Sequence, residues 1–431
     1  MTRSAGTQGG PPEDRAGAGG PVGFIPGRPR RWVRYGALGA AVLVVVAAGV
    51  GWEVYTRLNG NITADETAAA ELRRYEKERP SALVKDAQNI LLIGSDTRAG
   101  GGNARYGRDS GTERSDTTIL LHLAADRHTA TAVSLPRDLM VRVPGCHRRD
   151  GSPSAPMYTA LNTAFAVGGS ACTIRTVEKL TGIRIDHHVV IDFSAFKEMV
   201  DAVDGVEVCL TEPIDDKAAR LRLPAGRVTL DGEQALGYVR ARKSLGDGSD
   251  TERMERQQRF LGALVNTVWS NDVLLNPAKL YPVLDAATSS LTTDPGLASL
   301  RGLYDLVRGL RKIPTERVQF LTVPRESYVY DANRDQLVEP DAEKLFARLR
   351  RDAPVEVVKE TTSDSGAKGR NPAAADSPSS RESDPFTQSR DYAAYILVGR
   401  SDDGMRAAPI WLTPSPTPTF RGNTAAEDSC G

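Results

Sequence analysis

The chain of 431 residues carries no net charge, 55 basic residues standing against 55 acidic ones. No global field draws it to nucleic acid or to an anionic surface, so any anion site has to be local. Cysteine is scarce. Cys146, Cys172, Cys209 and Cys430 form no C-x-x-C pair and show no metal spacing with the five scattered histidines. No basic recognition helix is visible, which sets a DNA-binding regulator aside. Ser95 and Ser134 lack a recognisable base and orienting acid, which counts against serine hydrolase chemistry. Asp247 and Asp250 sit among glycines without the remaining ligands of a calcium loop. No internal repeat is evident.

Long apolar runs are equally rare, and the one that exists stands out. From Tyr35 to Trp52 no residue is charged, a stretch of 18 with aromatic rings at both ends. That is the length of a membrane span with its two interfacial belts. Arg28, Arg30, Arg31 and Arg34 flank it on one side against Glu53 and Arg57 on the other. The positive-inside rule therefore places the N-terminus in the cytoplasm and everything after residue 54 outside. An uncleaved anchor is favoured over a cleaved signal peptide, because the leader is long and lacks a clean small-x-small site. Outside the cell, an even cysteine count favours disulfides, and three pairings are open. Cys146 with Cys172 would clip residues 144–170; Cys209 with Cys430 would tie the tail to the domain; buried free thiols are the competing reading.

Five segments follow from composition and patterning. Residues 1–34 read as a disordered cytoplasmic leader rich in Gly, Pro and Arg, 35–54 as the transmembrane helix, and 55–81 as a short helical stalk. Residues 82–358 alternate strand-like and helix-like stretches, which points to an α/β or α+β sandwich outside the membrane. Residues 359–431 read as a disordered linker and tail that cannot build a core, Tyr392 to Val398 being its one apolar patch.

The chemistry concentrates between Asn89 and Arg137. An apolar run, Ile90-Leu91-Leu92-Ile93, ends at Gly94-Ser95-Asp96-Thr97-Arg98, as a buried strand would when it delivers an acid and a base into a loop. A second strand, 117–123, is introduced by Arg114-Ser115-Asp116, and a third, 130–135, exits into Pro136-Arg137-Asp138. Three strand ends thus present Asp96 and Asp116 with Arg98, Arg114 and Arg137. Carboxylate oxygens suit a hard divalent cation such as Mg2+, with Mn2+ as an alternative, and guanidinium forks take phosphate oxygens in pairs. The pattern predicts a metal-assisted phosphoryl-transfer site.

Further along, residues 159–166 and 172–180 look helical on either side of Gly168-Gly169, and 186–193 reads as a strand. The helix after it carries Phe193, Phe196, Met199, Val200 and Val203 on one face. Asp231 is placed to cap a helix. Arg240 and Arg242 stand two apart, so both can serve one site only if the helix stops near Tyr238 and the chain becomes extended. A helix over 251–269 buries Leu261, Leu264, Val265 and Val268. The same stripe projected back meets Gln257, Arg253 and Met254, which puts polar groups on an inward face and suggests a ligand pocket.

These pieces resemble the LytR-CpsA-Psr family of membrane-anchored cell-wall ligases, in its actinobacterial form. The matching segments are Asn89 to Arg98, Arg114 to Thr117, Ser134 to Asp138, Ile185 to Leu210, Tyr238 to Arg242 and Arg253 to Gln258. The resemblance implies a three-layer α/β/α sandwich with a central mixed sheet and a hydrophobic lipid cavity, behind the single N-terminal transmembrane helix. It implies a transferase that moves a glycopolymer from a polyprenyl pyrophosphate carrier to a peptidoglycan hydroxyl through a phosphodiester. A polyprenyl pyrophosphate hydrolase and a non-catalytic lipid-binding protein are the alternatives. By the same resemblance Asp96 and Asp116 are metal ligands, and Asp96, Asp116, Arg114 and Arg137 are catalytic. Arg114, Arg137, Arg240, Arg242, Arg253 and Gln257 bind pyrophosphate. Glu252 stands where members often have glycine, and the Phe193 helix becomes a wall of the lipid cavity.

Overall fold

The computed structural model describes residues 31–96, 113–217, 219–241, 250–270, 277–358 and 419–427. Arg98, Arg242 and Cys430 lie outside them, as do Asp247 and the apolar patch 392–398. The chain forms two units, Met1–Thr56 and Arg57–Gly431. The first contains most of α1 (Arg31–Asn61). Within α1 the span Arg34–Asn61 is the one helix among the described residues long and apolar enough to cross a membrane, and the most apolar stretch buries nothing against protein.

In the second unit the strands are β1 (Thr63–Ala64), β2 (Gln88–Ser95), β3 (Ser115–Leu123), β4 (Ala130–Leu135), β5 (Met140–Val143), β6 (Met157–Ala160), β7 (His187–Ile191), β8 (Val206–Leu210), β9 (Ile214–Asp216), β10 (Leu221–Leu223), β11 (Gly226–Leu230), β12 (Leu291–Thr293), β13 (Val318–Thr322), β14 (Arg325–Tyr328), β15 (Asp331–Leu337), β16 (Glu356–Val358) and β17 (Thr419–Thr424). The helices are α2 (Glu66–Arg74), α3 (Asn162–Thr181), α4 (Phe193–Ala202), α5 (Gly232–Arg240), α6 (Asp250–Ser270), α7 (Pro277–Ser290), α8 (Leu300–Leu310) and α9 (Asp341–Arg350). Nine strands make one sheet in the order β1-β12-β7-β2-β3-β4-β13-β17-β16. It is mixed: β2 runs parallel to β7 and β4 to β13, whereas β2-β3 and β3-β4 are antiparallel.

Both faces of the sheet are covered, which is why its central strands read as unbroken apolar runs. Leu91, Ile93, Leu120 and Val133 face α2, α3 and α9 in one core, with Phe346 and Leu349 packed on them. Ile90, Ile119 and Ala132 face the other way, toward α6, α7 and α8. The result is the expected three-layer α/β/α sandwich. A third cluster, around Val200, Leu210, Leu230 and Phe260, joins α4, α5 and α6 to the small hairpins β8-β11 and β9-β10.

Three expectations change. Residues 55–81 are not a stalk standing off the domain: β1 pairs with β12 at the sheet edge, and Ala68 and Leu72 of α2 are buried in the first core. An amphipathic Ala/Glu-rich helix gives no hint in sequence of which surface it will cover. The tail is not all linker either. β17 inserts between β13 and β16, burying Phe420 and Ala425. A six-residue strand holding one large apolar side chain is too weak a pattern to see beside a Pro/Ser/Thr run. Third, Thr159 belongs to β6, so the first of the two expected helices starts only at Asn162; the two do stand on either side of Gly168 and Gly169, where φ and ψ leave the helical region, and are numbered together as α3. Gly169 has φ +62° and Gly168 has no room for a Cβ, which would lie 2.8 Å from the His147 carbonyl.

One disulfide, Cys146–Cys172, clips the loop after β5 onto α3. Cys209 is also disulfide-bonded, and Cys430, its expected partner, falls outside the described residues. His187 and His188 play a structural part. His187 Nδ1 lies 3.1 Å from Asp294 and His188 Nε2 3.3 Å from Asp65, tying β7 to the turn after β12 and to the α2 cap.

Candidate active site

The adjacent strands β2 and β3 end together, and the way they end aims the acids. Gly94 pairs with Thr117 but Ser95 pairs with Ser115, so Asp116 is the extra residue of a β-bulge. A bulge breaks the two-residue alternation and re-aims a side chain. Here it brings Asp116 to the same cavity as its neighbour Thr117. Gly94 makes the approach feasible, since a Cβ there would already lie 3.1 Å from Thr117 Cβ.

Arg137, leaving β4, donates from Nη1 to Asp116 Oδ1 at 2.9 Å and from Nε to Asp138 Oδ2 at 3.0 Å. Arg334 of β15 donates to the other Asp138 oxygen at 2.6 Å. The guanidinium is therefore held by two carboxylates, one of which is anchored from the far hairpin. Asp96 is held differently: its backbone N–H donates to the Arg114 carbonyl at 3.0 Å, and its Oδ1 accepts from the Arg114 backbone N–H at 2.6 Å.

Beside Asp116 lies a cavity of about 290 Å³. Most of its lining is apolar, including Leu92, Ile119, Ile191, Phe193, Phe196, Leu236, Val239, Phe260 and Leu261. Asp116, Asp192, Arg240, Arg253 and Gln257 also line it. Thus Asp116, Arg240, Arg253 and Gln257 are brought together, with Arg137 directly behind Asp116. Asp96 and Arg114 stand outside the lining, and the Arg114 side chain is exposed.

Of the expected arginine pair, only Arg240 falls on α5, and Arg242 lies outside the described residues. Asp231 and Gln234 form a capping box at the start, and the helix stops at Arg240 because Ala241 turns to ψ 135°. The break falls two residues beyond Tyr238, so Arg240 is the last helical residue, its guanidinium 4.5 Å from the centre of the Phe193 ring. On α6, Arg253, Gln257 and Leu261 are four apart and line the cavity as one stripe. Arg253 is buried, 5% exposed, a rare placement for an arginine. Glu252 acts electrostatically on the neighbouring Arg256, whose burial disfavours its charge while Tyr238 and Glu252 support it.

Three contributors escaped the sequence reading. Asp192 caps α4, accepting from Ala195 N at 2.8 Å, and also lines the cavity; an Asp immediately before the Phe193 stripe was the available signal. Gln258 is buried and donates to Ser134 Oγ at 3.2 Å and Thr322 Oγ1 at 2.9 Å, locking α6 to β4 and β13. Asp138 orients Arg137. No sequence spacing reveals that Arg334 completes this link.

Among the described residues no cluster of three or more His, Cys, Asp or Glu side chains forms a cage for a metal. Asp96 and Asp116 stand at adjoining strand ends and would offer one or two carboxylates. That suits Mg2+, which keeps most of its shell as water and substrate phosphate.

The family model described as the LytR_cpsA_psr family matches residues 54–351. The "Probable cell wall biosynthesis protein LcpB" of Corynebacterium glutamicum is 39% identical over 294 residues, 66% of this chain and 66% of that protein. "Cell wall biosynthesis protein LcpA" of the same organism is 32% identical over 310 residues, 66% of this chain and 58% of that protein. The chain thus spans roughly three-fifths to two-thirds of those relatives. The "Polyisoprenyl-teichoic acid--peptidoglycan teichoic acid transferase TagT" of Bacillus subtilis is 29% identical over 324 residues, covering 72% of this chain and 92% of TagT. Among solved structures, the "LytR-Csp2A-Psr enzyme from Actinomyces oris" superposes with a TM-score of 0.50 at 22% identity, over 63% of this chain and 93% of its own, a likeness of fold.

Proposed function

The chain belongs to the LytR-CpsA-Psr family, and from that premise we propose that it is a Mg2+-dependent phosphotransferase. It takes a glycopolymer from a polyprenyl pyrophosphate carrier and joins it to a peptidoglycan hydroxyl through a phosphodiester. One observation carries this reading: a cavity lined mainly by apolar side chains also holds Asp116, Arg240, Arg253 and Gln257 in its lining. An amphiphile with an aliphatic tail and a multiply charged head matches that lining.

In the proposed reaction the acceptor O–H attacks the phosphorus bearing the glycopolymer. A new P–O bond forms, the bridging bond to the lipid phosphate breaks, and lipid phosphate departs with the bond's electron pair. Arg240, Arg253 and Arg137 would stabilise charge on the phosphate oxygens, and Gln257 would orient them. Asp116 faces the cavity and is the candidate to accept the hydroxyl proton, with Arg137 holding its carboxylate in place. Asp96 is the firmer of the two carboxylates assigned to Mg2+, which when bound would neutralise pyrophosphate charge.

Anchored by α1 with its N-terminus in the cytoplasm, the catalytic unit would work at the outer face of the membrane, where a lipid carrier and the wall are both within reach. The test uses the full chain in nanodiscs with a polyprenyl pyrophosphate-linked sugar and peptidoglycan fragments, with Mg2+ or EDTA. The proposal expects a joined sugar–glycan product by mass spectrometry, dependent on Mg2+ and lost in Asp116→Ala. Lipid phosphate without joined product would identify a hydrolase, and tight lipid binding without turnover a binding protein.

A further inference from the structure

A second cleft, of about 510 Å³, opens on the opposite face of the sheet from the lipid cavity. It lies among α2, the bend of α3 and the loop after β5, and its lining includes Ser95 and Asp192, which also line the cavity. The two hollows therefore meet where the parallel strands β2 and β7 end, the edge at which open α/β sheets bind ligands. Their chemistry differs. The cleft presents Thr67, Glu71, Glu113, His147, Arg148 and Arg149.

Its charges are arranged in pairs. His147 Nδ1 lies 2.6 Å from Glu71 Oε1, and Arg149 donates to Glu113. With Asp65 and Asp192 the lining holds four carboxylates against two arginines and one histidine, and such a net acidic set of donors and acceptors suits a ligand rich in hydroxyls and amides better than a polyanion or a lipid. Arg148 and Arg149 are exposed, positioned to meet carboxylates on such a ligand.

The wall is also rigid. The loop carrying His147 to Arg149 is fastened by the Cys146–Cys172 disulfide, by Ser154 Oγ accepting from Cys146 N at 3.1 Å, and by Arg175 Nη1 donating to the Gly145 carbonyl at 2.6 Å. Across the cleft, Asp65 accepts from Ala68 N and Ser170 Oγ and faces His188. Burial alone would raise the Asp65 carboxyl, but these hydrogen bonds outweigh it and hold the acid strongly ionised.

The geometry points to this cleft as the binding site for the acceptor, a peptidoglycan glycan with its stem peptide. The inference rests on the transferase reading above. Phosphoryl transfer places the attacking and leaving oxygens roughly in line. If lipid phosphate leaves toward the apolar cavity, the incoming hydroxyl arrives from the opposite side of the phosphorus. That is the side on which the polar cleft opens.

The full chain in nanodiscs is titrated with a soluble disaccharide-peptide fragment of peptidoglycan, by calorimetry, and separately with a polyprenyl pyrophosphate. Two variants at exposed positions avoid the fold: Arg149→Glu, and Thr67→Trp to fill the cleft. Loss of a charge-assisted contact predicts on the order of tenfold weaker fragment binding in Arg149→Glu, a comparable loss in Thr67→Trp, and a matching rise in acceptor KM. Affinity for polyprenyl pyrophosphate should stay within about twofold. Fragment binding unaffected by both variants would overturn the inference, as would weakening of the lipid-linked donor instead, which would assign the cleft to the donor's own sugars. If the wild type binds the fragment through the cleft but forms no joined product, the acceptor site stands and the transferase reading fails.

Discussion

Replacing Arg240 separates the role of the charged side chains of the cavity from the integrity of its walls. The guanidinium is exposed at the last turn of α5 and lies over Phe193. Arg240→Ala forfeits an exposed cation–π contact of about 0.5–1 kcal/mol and a favourable helix-end charge of about 0.3–1 kcal/mol. The fold should therefore lose only about 1–2 kcal/mol. Binding should suffer more. Hydrogen bonds to charged groups are worth about 1.5–3 kcal/mol, which at about 1.4 kcal/mol per decade is roughly a 10- to 150-fold loss of affinity for polyprenyl pyrophosphate. Arg240→Lys keeps the charge but not the planar fork, and should fall between. The assay is calorimetric titration with polyprenyl pyrophosphate and with the neutral polyprenol, alongside denaturant unfolding. Because the apolar walls are untouched, polyprenol affinity should change by less than about threefold. Equal weakening of both lipids would mean the cavity had collapsed. Unchanged pyrophosphate affinity would refute the assignment of Arg240 to the headgroup.

Other outcomes follow from single contacts. Gln258→Leu strands two hydroxyls, Ser134 and Thr322, that it now joins, and should cost about 2–4 kcal/mol in urea unfolding. His187 is partly buried, which opposes its charge, but the Asp294 carboxylate more than offsets this and its pKa is raised. The stability it contributes is complete below the ordinary imidazole value of about 6.5 and is lost as pH rises through the higher folded value. His187→Gln should remove that decline, measured as melting temperature between about pH 6 and 8; an unchanged slope would show the pair contributes nothing. At Gly422 a Cβ would lie 2.2 Å from the Phe320 carbonyl, so Gly422→Ala should disrupt β17 and give early hydrogen exchange at Phe320 and Leu321. Exchange as slow as in the wild type would count against the β13-β17 pairing.

Much of the central sheet was legible because it is buried on both sides. An uninterrupted run such as Ile90–Ile93 has few other uses, and the acids and arginines at the strand ends mark where the strands stop. The stripe Arg253, Gln257, Leu261 was legible because a helical period carried polar residues onto an apolar face. The Asp116 bulge was not, since an extra residue in a strand leaves no compositional trace. Nor was the Arg334–Asp138–Arg137 link, which depends on a hairpin nearly two hundred residues away in sequence. The second hollow is built from α2, α3 and a disulfide-held loop, and only their packing creates it.

The position of β17 has a consequence for how the protein is made. Phe320 pairs with Asn423 and Val357 with Phe420, so a strand made later fills a slot between two strands made before it. Until it arrives, β13 and β16 each present an open edge ready to recruit a foreign strand. A prematurely terminated chain would keep both edges bare, so interrupted synthesis should yield aggregating fragments rather than a shortened working domain. Completion of this part of the sheet thus requires synthesis to have passed residue 424.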